Sequence, residues 1–317
     1  MCKHAADLSM VATALYYLRM PKILVSLALL FTASVLWADP VPAWLVRLPE
    51  STPTVFIAET SSSAFHRFDR TASGTEKIRQ DYMSIGEAGI GKERSGDRRT
   101  PLGIYFVTEQ IDTSRLHEKY GVTAFPLDYP NAWDRRLGRT GDGIWVHGVD
   151  PRGGVRPPLD TDGCIALPNE RLRELVPNFE SNITPVLIGA ELAWVEADRL
   201  AEIREALESA VADWAESLEK GDLFTWLELY DETFRYWGMN KAEWSTFSVE
   251  TLGKRPISDV TVSDLLLLGD PVEEGLYLSR FRLEISDGEA RKVISMRRIY
   301  WRRSESGAFR IVAEDSG

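Results

Sequence analysis

The sequence predicts an α+β protein with two β-rich domains. Its 317 residues are enough to bury two hydrophobic cores. Residues 52–190 contain short strand-like stretches such as "GIWVHG", which favours a mixed, β-rich first domain. Residues 197–317 begin with helical periodicity and continue with alternating, strand-like segments. This order favours a second domain in which helices pack on an antiparallel sheet.

Residues 1–38 are typical of a secretory signal. Lys22 precedes an uncharged apolar run from Ile23 to Ala38, and a polar sequence follows. The run is shorter than the roughly 20 residues of a membrane span, so we expect cleavage near Ala38 and export to the periplasm. Leu36 disturbs the small-residue pattern before this point, which leaves an uncleaved anchor in the inner membrane as the alternative. Residues 39–51 are predicted to be a short linker.

Cys164 is the only cysteine that remains once the signal is removed, because Cys2 lies within it. Structural cysteines of exported proteins come in pairs, and a lone thiol there is open to oxidation. Cys164 is therefore either a small buried apolar residue or a nucleophile. Its neighbours in sequence must decide between the two.

His147 is the candidate base for this thiol. It ends a strand-like stretch, is followed at once by Gly148, and lies seventeen positions before Cys164. Gly163-Cys164 opens a second strand-like stretch, and Asn169 is expected to cap the helix after it. Two strand ends can bring an imidazole and a thiol within hydrogen-bond reach, although a structural histidine at a strand edge is the alternative. The other histidines, expected away from the site, are His4, His66 and His117.

The pair His147-Gly148, followed by Thr161-Asp162-Gly163-Cys164, resembles the YkuD-type L,D-transpeptidase domain, whose signature is His-Gly, a loop, then Ser/Thr-x-Gly-Cys. Residues 91–107, "GKERSGDRRTPLGIYFV", are similar to the segment that precedes the core strands of that domain. The stretches "FPLDYPN" and "GRTGDGIWVHG" resemble the branch that contains L,D-carboxypeptidases and an enzyme that releases a lipoprotein from peptidoglycan. The resemblance covers roughly residues 52–190.

The resemblance implies a cysteine enzyme that acts on peptidoglycan stem peptides. We expect no cofactor, and the sequence has no paired cysteines or His-x-x-x-His spacing to indicate a metal site. The thiolate of Cys164 would attack the amide between the L-centre of a diamino acid and D-alanine, and His147 would take the thiol proton. The N–H groups of Gly163 and Cys164 would hold the oxyanion. The carbonyl of Gly148 would orient the imidazole, with Asp162 as an alternative partner or a simple turn residue.

One departure from the family bears on the reaction. Transpeptidases of the family place arginine two residues after the cysteine, and Ala166 stands there. This loss of a guanidinium favours hydrolysis over crosslinking. Crosslinking, lipoprotein release and a wall-binding protein with a decayed site remain the alternatives. Arg139 is either a replacement cation or a surface residue. The expected substrate contacts are Thr161, Asp162, Arg139, Trp145 and Tyr129.

The stretch "GEAGIGKE", residues 86–93, resembles a phosphate-binding loop but lacks its final Ser/Thr, where Glu93 stands. The sequence after it runs into glycine and proline, so the required helix cannot follow. We therefore expect no nucleotide site.

Residues 197–317 resemble an NTF2-like cone, in which a curved sheet surrounds a pocket closed by helices. Aromatic residues are dense from Trp214 to Phe247, and they form either its core or a glycan or peptide pocket. A homodimer through this domain is a further possibility. The net charge of −11, or −13 without residues 1–38, argues against nucleic acid as a partner.

Overall fold

The computed structural model describes residues 40–72, 74–252, 257, 259–286 and 292–316. The predicted signal, residues 1–38, lies outside the described residues. Within these ranges, no helix combines the length and apolar character needed to cross a membrane.

The strands are mostly short in the first half of the chain, and the longest ones lie in the second half. The strands are β1 (Val41–Pro42), β2 (Leu45–Arg47), β3 (Thr54–Glu59), β4 (Ala64–Thr71), β5 (Gly74–Tyr82), β6 (Ile85–Gly86), β7 (Gly103–Phe106), β8 (Ala124–Pro126), β9 (Trp145–His147), β10 (Leu159–Thr161), β11 (Ile165–Ala166), β12 (Pro185–Gly189), β13 (Trp194–Val195), β14 (Tyr230–Tyr236), β15 (Met239–Asn240), β16 (Asp259–Gly269), β17 (Leu276–Ser286), β18 (Lys292–Arg303) and β19 (Phe309–Asp315). The helices are α1 (Ala132–Arg136), α2 (Asn169–Leu175), α3 (Ala197–Glu219), α4 (Leu223–Glu228) and α5 (Lys241–Leu252), with 3₁₀ turns at Thr113–Arg115, Glu118–Tyr120 and Val176–Asn178.

The first half is built on a five-stranded sheet in the order β5-β4-β3-β12-β7. Its central strands β3 and β12 pair in parallel, and the other neighbours are antiparallel. Both central strands are buried along almost their whole length. Burial on both faces explains why "TVFIAE" and "PVLIG" are nearly continuous apolar runs rather than alternating ones.

A smaller sheet, in the order β11-β9-β8, carries the candidate site residues. Strands β9 and β11 pair in parallel, with Val146 opposite Ile165 and His147 opposite Ala166. Val146 and Ile165 are fully buried in the core of the first half. The alternation of a strand therefore turns His147 and Ala166 to the opposite face.

The second half forms a seven-stranded sheet in the order β15-β14-β19-β18-β17-β16-β2, with helices α3, α4 and α5 preceding its long strands in sequence. Helix α3 buries Leu207, Val211, Trp214 and Leu218, which are spaced by three and four residues as one face of an amphipathic helix. Helices first and a sheet after them are the arrangement expected of an NTF2-like cone, and the predicted α+β class is confirmed.

The predicted linker, residues 39–51, is described by the structure from residue 40 and contains strands β1 and β2. Strand β1 pairs with β13, and β2 adds an edge strand to the seven-stranded sheet through β16. One hydrophobic cluster contains Trp44 and Leu45 from this segment, Ile57 and Leu187 from the first half, and Leu268 from the second. The two halves are therefore packed on a shared core rather than joined by a free tether.

A buried ion network adds to this contact between the halves. The guanidinium of Arg298 in β18 pairs with Asp128, which follows β8, and with Asp315 at 2.7 Å. Arg135 of α1 reaches the same Asp315 carboxylate at 3.1 Å. Burial raises the pKa of Asp128, while the charge of Arg298 and the N–H of Phe106 lower it. Breaking this network would leave charges buried without partners.

Candidate active site

Cys164 and His147 lie on the same face of the β9–β11 pair. Cys164 directly precedes β11 and stands two residues before Ala166, the register partner of His147. Residues two apart in an extended strand share a face, so the thiol and the imidazole project to the same side. Both are buried, with 8% of Cys164 and 3% of His147 exposed. The histidine and the cysteine that sequence analysis selected therefore lie on one face of two neighbouring strands, with His147 at the end of β9 and Cys164 just before β11.

The turn before the nucleophile is held by two threonine hydroxyls. Thr161 Oγ1 donates to the carbonyl of Cys164 at 2.7 Å and accepts from the N–H of Gly163 at 3.1 Å. Thr100 Oγ1 donates to the carbonyl of Gly163 at 2.9 Å and accepts from the N–H of Gly86. Each hydroxyl therefore acts as donor and acceptor at once, which fixes the backbone on both sides of Gly163.

Gly163 is required by its backbone conformation and by its surroundings. Its φ is +120°, which L-residues rarely adopt, and an added Cβ would lie 2.7 Å from the carbonyl oxygen of Arg99. Its N–H already donates to Thr161, so the oxyanion contact predicted for Gly163 requires that bond to be shared or broken. The N–H of Cys164 donates to no side chain in the described part of the chain, which makes it the better placed oxyanion donor.

The orientation of His147 is set by Gly148. The Nδ1 atom lies 2.6 Å from the carbonyl oxygen of Gly148, and because a carbonyl can only accept, Nδ1 carries the proton. Nε2 is then the unprotonated nitrogen available as a base. The hydrogen bond expected from the family signature is present in this chain.

Asn169 locks the chain that leaves His147. Its Oδ1 accepts from the N–H of Val149 at 3.0 Å and of Val122 at 3.3 Å, and its Nδ2 donates to the Val149 carbonyl at 2.8 Å. The prediction that Asn169 caps α2 is wrong, because Pro168 occupies the cap position and Asn169 is the first helical residue. A Cβ on Gly148 would lie 2.2 Å from Asn169 Oδ1, so this glycine is also needed for close packing.

Electrostatics keep both groups neutral at rest. Burial raises the pKa of the Cys164 thiol, although the N–H of Trp145 and the charges of Lys119 and Arg156 act in the opposite direction. Burial lowers the pKa of His147 to about 4, with only its hydrogen bond to Gly148 opposing the shift. The thiol donates to the Gly143 carbonyl at 3.3 Å, as a protonated sulfur does. Both shifts favour a neutral thiol and a neutral imidazole over an ion pair.

Lys119 and Tyr120 belong to the site although sequence analysis placed their stretch away from it. The Tyr120 ring meets His147 edge-on at 5.2 Å and the Trp145 ring at 4.9 Å between centroids. The ammonium of Lys119 lies 5.2 Å from the Tyr120 ring centre and pairs with Asp162 at 3.1 Å. No motif in the sequence relates these residues to Cys164, because they lie on the 3₁₀ turn Glu118–Tyr120, which is distant from Cys164 along the chain.

A cleft of about 320 Å³ is lined by Ala166, the position where transpeptidases of the family carry arginine. Asn169 and the loop that ends in Arg156 also line it. The remaining lining residues are Tyr82, Val149, Asp150, Pro151, Gly154, Val155, Pro168, Glu170 and Arg173. Ala166 has no charge to offer at this position, and Arg156 supplies a cation to the lining of the same cleft.

Arg156 is close enough to the reacting pair for its charge to lower the pKa of both His147 and Cys164. Its side chain is about one-fifth exposed and pairs with Asp160 at 3.3 Å. The hydroxyl of Tyr82 donates to the Arg156 carbonyl at 2.7 Å and so holds this part of the loop. Sequence analysis missed Arg156 because no motif marks it.

Comparison with known proteins agrees with this site. Residues 65–188 match the family model of the L,D-transpeptidase catalytic domain, YkuD. The chain carries a YkuD-type L,D-transpeptidase domain. No curated protein matches the chain significantly. Within the matched residues lie Thr100, His147, Gly148, Gly163 and Cys164, which together build the nucleophile turn and the base described above.

Two solved structures share the fold over most of both chains. Bd1075 of Bdellovibrio bacteriovorus is 24% identical, with 88% of this chain and 98% of that one covered and a TM-score of 0.72. The helical cell shape determining protein Pgp2 of Campylobacter jejuni is 21% identical, with 86% and 95% covered and a TM-score of 0.73. The YkuD-type domain followed by a helix-and-sheet half is therefore a recurring architecture.

Three predicted substrate contacts have other roles in this YkuD-type domain. Tyr129 is buried and donates to the Thr140 carbonyl at 3.1 Å, so it belongs to the core. Arg139 pairs with the buried Asp134 at 2.9 Å and is not the replacement cation. Thr161 is buried and supports the nucleophile turn. Asp162 and Trp145 keep exposed surface beside the thiol.

The remaining candidates of the sequence are structural. His66 was expected at the surface but is buried and contacts Glu59 at 3.1 Å. His117 is exposed and accepts from the N–H of Lys119. Lys92, the lysine of the apparent phosphate loop, is buried and pairs with Asp97 at 2.8 Å. Burial raises the pKa of Asp97, but Lys92 and three backbone N–H groups outweigh it and hold the pKa well below its usual range.

Proposed function

We propose that the protein is an L,D-carboxypeptidase of the periplasm that trims peptidoglycan stem peptides. The observation that carries this proposal is the placement of His147, with Nδ1 held by Gly148, and of Cys164 on one face of a YkuD-type domain. We extend the proposal to cell shape, the role named for the Campylobacter protein of similar fold.

The reaction begins with a neutral pair. As the sulfur of Cys164 attacks the amide carbonyl, Nε2 of His147 takes the thiol proton, and the oxyanion that forms accepts from the N–H of Cys164. Collapse breaks the carbon–nitrogen bond, and the imidazolium returns its proton to the departing amine of D-alanine. A thioester to Cys164 remains. Water, deprotonated by His147, then hydrolyses the thioester and restores the thiol.

Arg156 supports hydrolysis of a substrate with a free carboxylate. The carboxyl-terminal D-alanine of a tetrapeptide ends in such a group, and a guanidinium binds a carboxylate through two parallel hydrogen bonds. Arg156 lines the same cleft as Ala166, and in the proposed reaction it holds this carboxylate while the preceding amide meets the thiol. The small side chain of Ala166 leaves space for the terminal residue.

The test is mass spectrometry of disaccharide tetrapeptide after incubation with the purified protein. Loss of D-alanine with the wild type, and none with Cys164→Ser, is the expected result. His147→Gln should also be inactive, because Gln keeps a similar size without a basic nitrogen. Crosslinked dimers instead would make the enzyme a transpeptidase. An unchanged tetrapeptide would refute carboxypeptidase activity, and stem peptides linked to a lipoprotein would be the next substrate.

A further inference from the structure

Thr100 contacts the nucleophile turn from a separate loop of the first half. Its side chain is fully buried, and its Oγ1 lies 2.9 Å from the carbonyl oxygen of Gly163, which is 63 positions away in the chain. The same Oγ1 lies 2.9 Å from the backbone nitrogen of Gly86. Because a carbonyl only accepts and a backbone N–H only donates, the hydroxyl hydrogen points to Gly163.

The loop around Thr100 fixes the position of this hydroxyl. The N–H of Thr100 donates to the Gly89 carbonyl at 2.9 Å, and its carbonyl accepts from the N–H of Gly91 at 2.9 Å. Arg99, the preceding residue, packs directly on the turn, since a Cβ on Gly163 would lie 2.7 Å from its carbonyl oxygen. The donor to the Gly163 carbonyl is therefore held in place by backbone hydrogen bonds on both of its sides.

The carbonyl that Thr100 binds belongs to the same peptide group as the N–H of Cys164. A trans peptide is planar, and its C=O and N–H point in opposite directions. A hydrogen bond that fixes the direction of the Gly163 carbonyl therefore also fixes the direction of the Cys164 N–H. This N–H is the better placed oxyanion donor, because the N–H of Gly163 is already bonded to Thr161 Oγ1 at 3.1 Å.

The hydrogen bond to Gly163 also changes the strength of that donor. Electron density in the peptide group shifts toward a carbonyl oxygen that accepts a hydrogen bond, which makes the N–H at the other end a stronger donor. The N–H of Gly86, the hydroxyl of Thr100 and the Gly163–Cys164 peptide form a chain of dipoles with one direction. Such bonds strengthen one another by about 10–30% each. A fixed chain of dipoles stabilises charge that develops in the transition state.

We propose that Thr100 is a positioning residue for the oxyanion and acts through the Gly163–Cys164 peptide. The inference rests on the acyl transfer proposed for Cys164 and adds to it a residue that is fully buried and so does not touch the substrate. The Cys164 N–H meets a full negative charge only in the transition state. Loss of the Thr100 hydroxyl should therefore lower kcat and leave KM nearly unchanged.

The first test is the hydrolysis of disaccharide tetrapeptide by variants of Thr100. Thr100→Val removes the hydroxyl and keeps the shape of the side chain, and kcat should fall about 10- to 100-fold with KM within about twofold. Thr100→Ser keeps the hydroxyl and should retain kcat within about threefold of the wild type. If the valine protein does not fold, Thr100→Ala takes its place, and its kcat should fall at least about fivefold.

Thr184 provides a matched control. It is also buried, and its hydroxyl donates to the Asn178 carbonyl at 3.0 Å and accepts from the N–H of Glu180 at 2.9 Å. Thr184→Val therefore removes the same kind of donor and acceptor from a turn that does not contain the nucleophile. Its kcat should stay within about twofold of the wild type.

A second test separates positioning of the oxyanion from positioning of the thiol. In the Cys2→Ser protein, p-nitrophenyl acetate acylates Cys164 through an oxyanion on the ester carbonyl, forms a carbon–sulfur bond and expels p-nitrophenolate. Iodoacetamide also forms a carbon–sulfur bond but expels iodide without an oxyanion. The thiol loses its proton in both reactions. Thr100→Val should lower the acylation rate about tenfold and leave the alkylation rate within about twofold.

Three results would overturn the proposal. Equal losses in the acylation and alkylation rates would mean that the variant displaced the thiol. A wild-type rate of acylation in Thr100→Val, or losses in Thr100→Ser or Thr184→Val as large as in Thr100→Val, would exclude a specific role for the hydroxyl. The ester reaction needs no stem peptide, so it decides the role of Thr100 even where the tetrapeptide is left intact. An intact tetrapeptide refutes only the carboxypeptidase activity.

Discussion

The protonation state of Cys164 can be tested directly through its reactivity. At neutral pH the structure predicts a neutral thiol and a neutral imidazole, because burial raises the pKa of Cys164 and lowers that of His147 to about 4. The perturbation is a change of pH on a Cys2→Ser protein, in which Cys164 is the single cysteine. The readout is the second-order rate of alkylation by iodoacetamide, which reacts with the thiolate.

The expected pH dependence of the alkylation rate follows from the pKa shifts of His147 and Cys164. With a pKa of about 4, roughly one His147 ring in a thousand is protonated at pH 7. An ordinary cysteine, with a pKa of about 8.5, is roughly 3% thiolate at that pH, and Cys164 has less. We therefore expect the alkylation rate to rise about tenfold per pH unit from pH 6 to pH 8, with no plateau.

A thiolate–imidazolium pair would behave differently. It would give an alkylation rate that is independent of pH across the neutral range, because Cys164 would already be ionised throughout that range. Such a plateau, or a rate at pH 6 equal to that at pH 8, would refute the neutral pair.

A lysine variant measures the electrostatic contribution to the same rate. Lys119→Met should lower the rate two- to fivefold at fixed pH, since a partly exposed charge contributes a screened interaction. Lys220→Met, on the exposed end of α3, is the control and should leave the rate unchanged.

Three further predictions concern the turn, the cleft and the shared core. Gly163→Ala should lower the free energy of unfolding by about 1–3 kcal/mol and abolish hydrolysis, because an alanine is strained at a φ of +120° and its Cβ would clash with the Arg99 carbonyl. A variant that is fully active, and as stable as the wild type in chemical denaturation, would contradict this. Arg156→Met should lower kcat/KM about 10- to 100-fold, mostly through a higher KM, because a charge-assisted contact to the substrate is lost. The control is Arg173→Met, in the same cleft, which should change kcat/KM less than threefold. Equal effects of the two variants would argue against a specific role for Arg156. Arg298→Met should lower the free energy of unfolding by about 3–5 kcal/mol, because the carboxylates of Asp128 and Asp315 stay buried. The control is Arg302→Met, whose ion pair with Glu273 is partly exposed, and it should lower the free energy of unfolding by about 1 kcal/mol or less. Similar losses in the two variants would mean that the buried network stabilises the fold no more than a surface ion pair does.

Sequence reasoning was most effective where chemistry depends on neighbours in the chain. Gly163 and Cys164 are adjacent, as are His147 and Gly148, and local alternation predicts the short strands that end at His147 and begin after Cys164. The amphipathic face of α3 was equally readable, because a helix brings residues three and four apart together. The domain that these motifs indicated agrees with the family match to residues 65–188.

Sequence reasoning failed where a side chain meets a distant backbone. Tyr129, Arg139 and Thr161 are residue types that suit substrate binding, yet each is satisfied by a partner inside the protein. Asn169 had the right position for a helix cap but bonds the strand end at Val149 instead. The local propensity of a polar side chain cannot reveal which of several backbone groups it will meet.

What the sequence by itself determined is the candidate nucleophile, its candidate base and the order of the two halves. These depend on residue type and short-range periodicity, which the chain carries wherever it folds. Only the tertiary structure decided that the thiol and the imidazole are buried and that Lys119, Tyr120 and Arg156 lie near them. Burial and charge act through space, and elements far apart in the chain set both at each site.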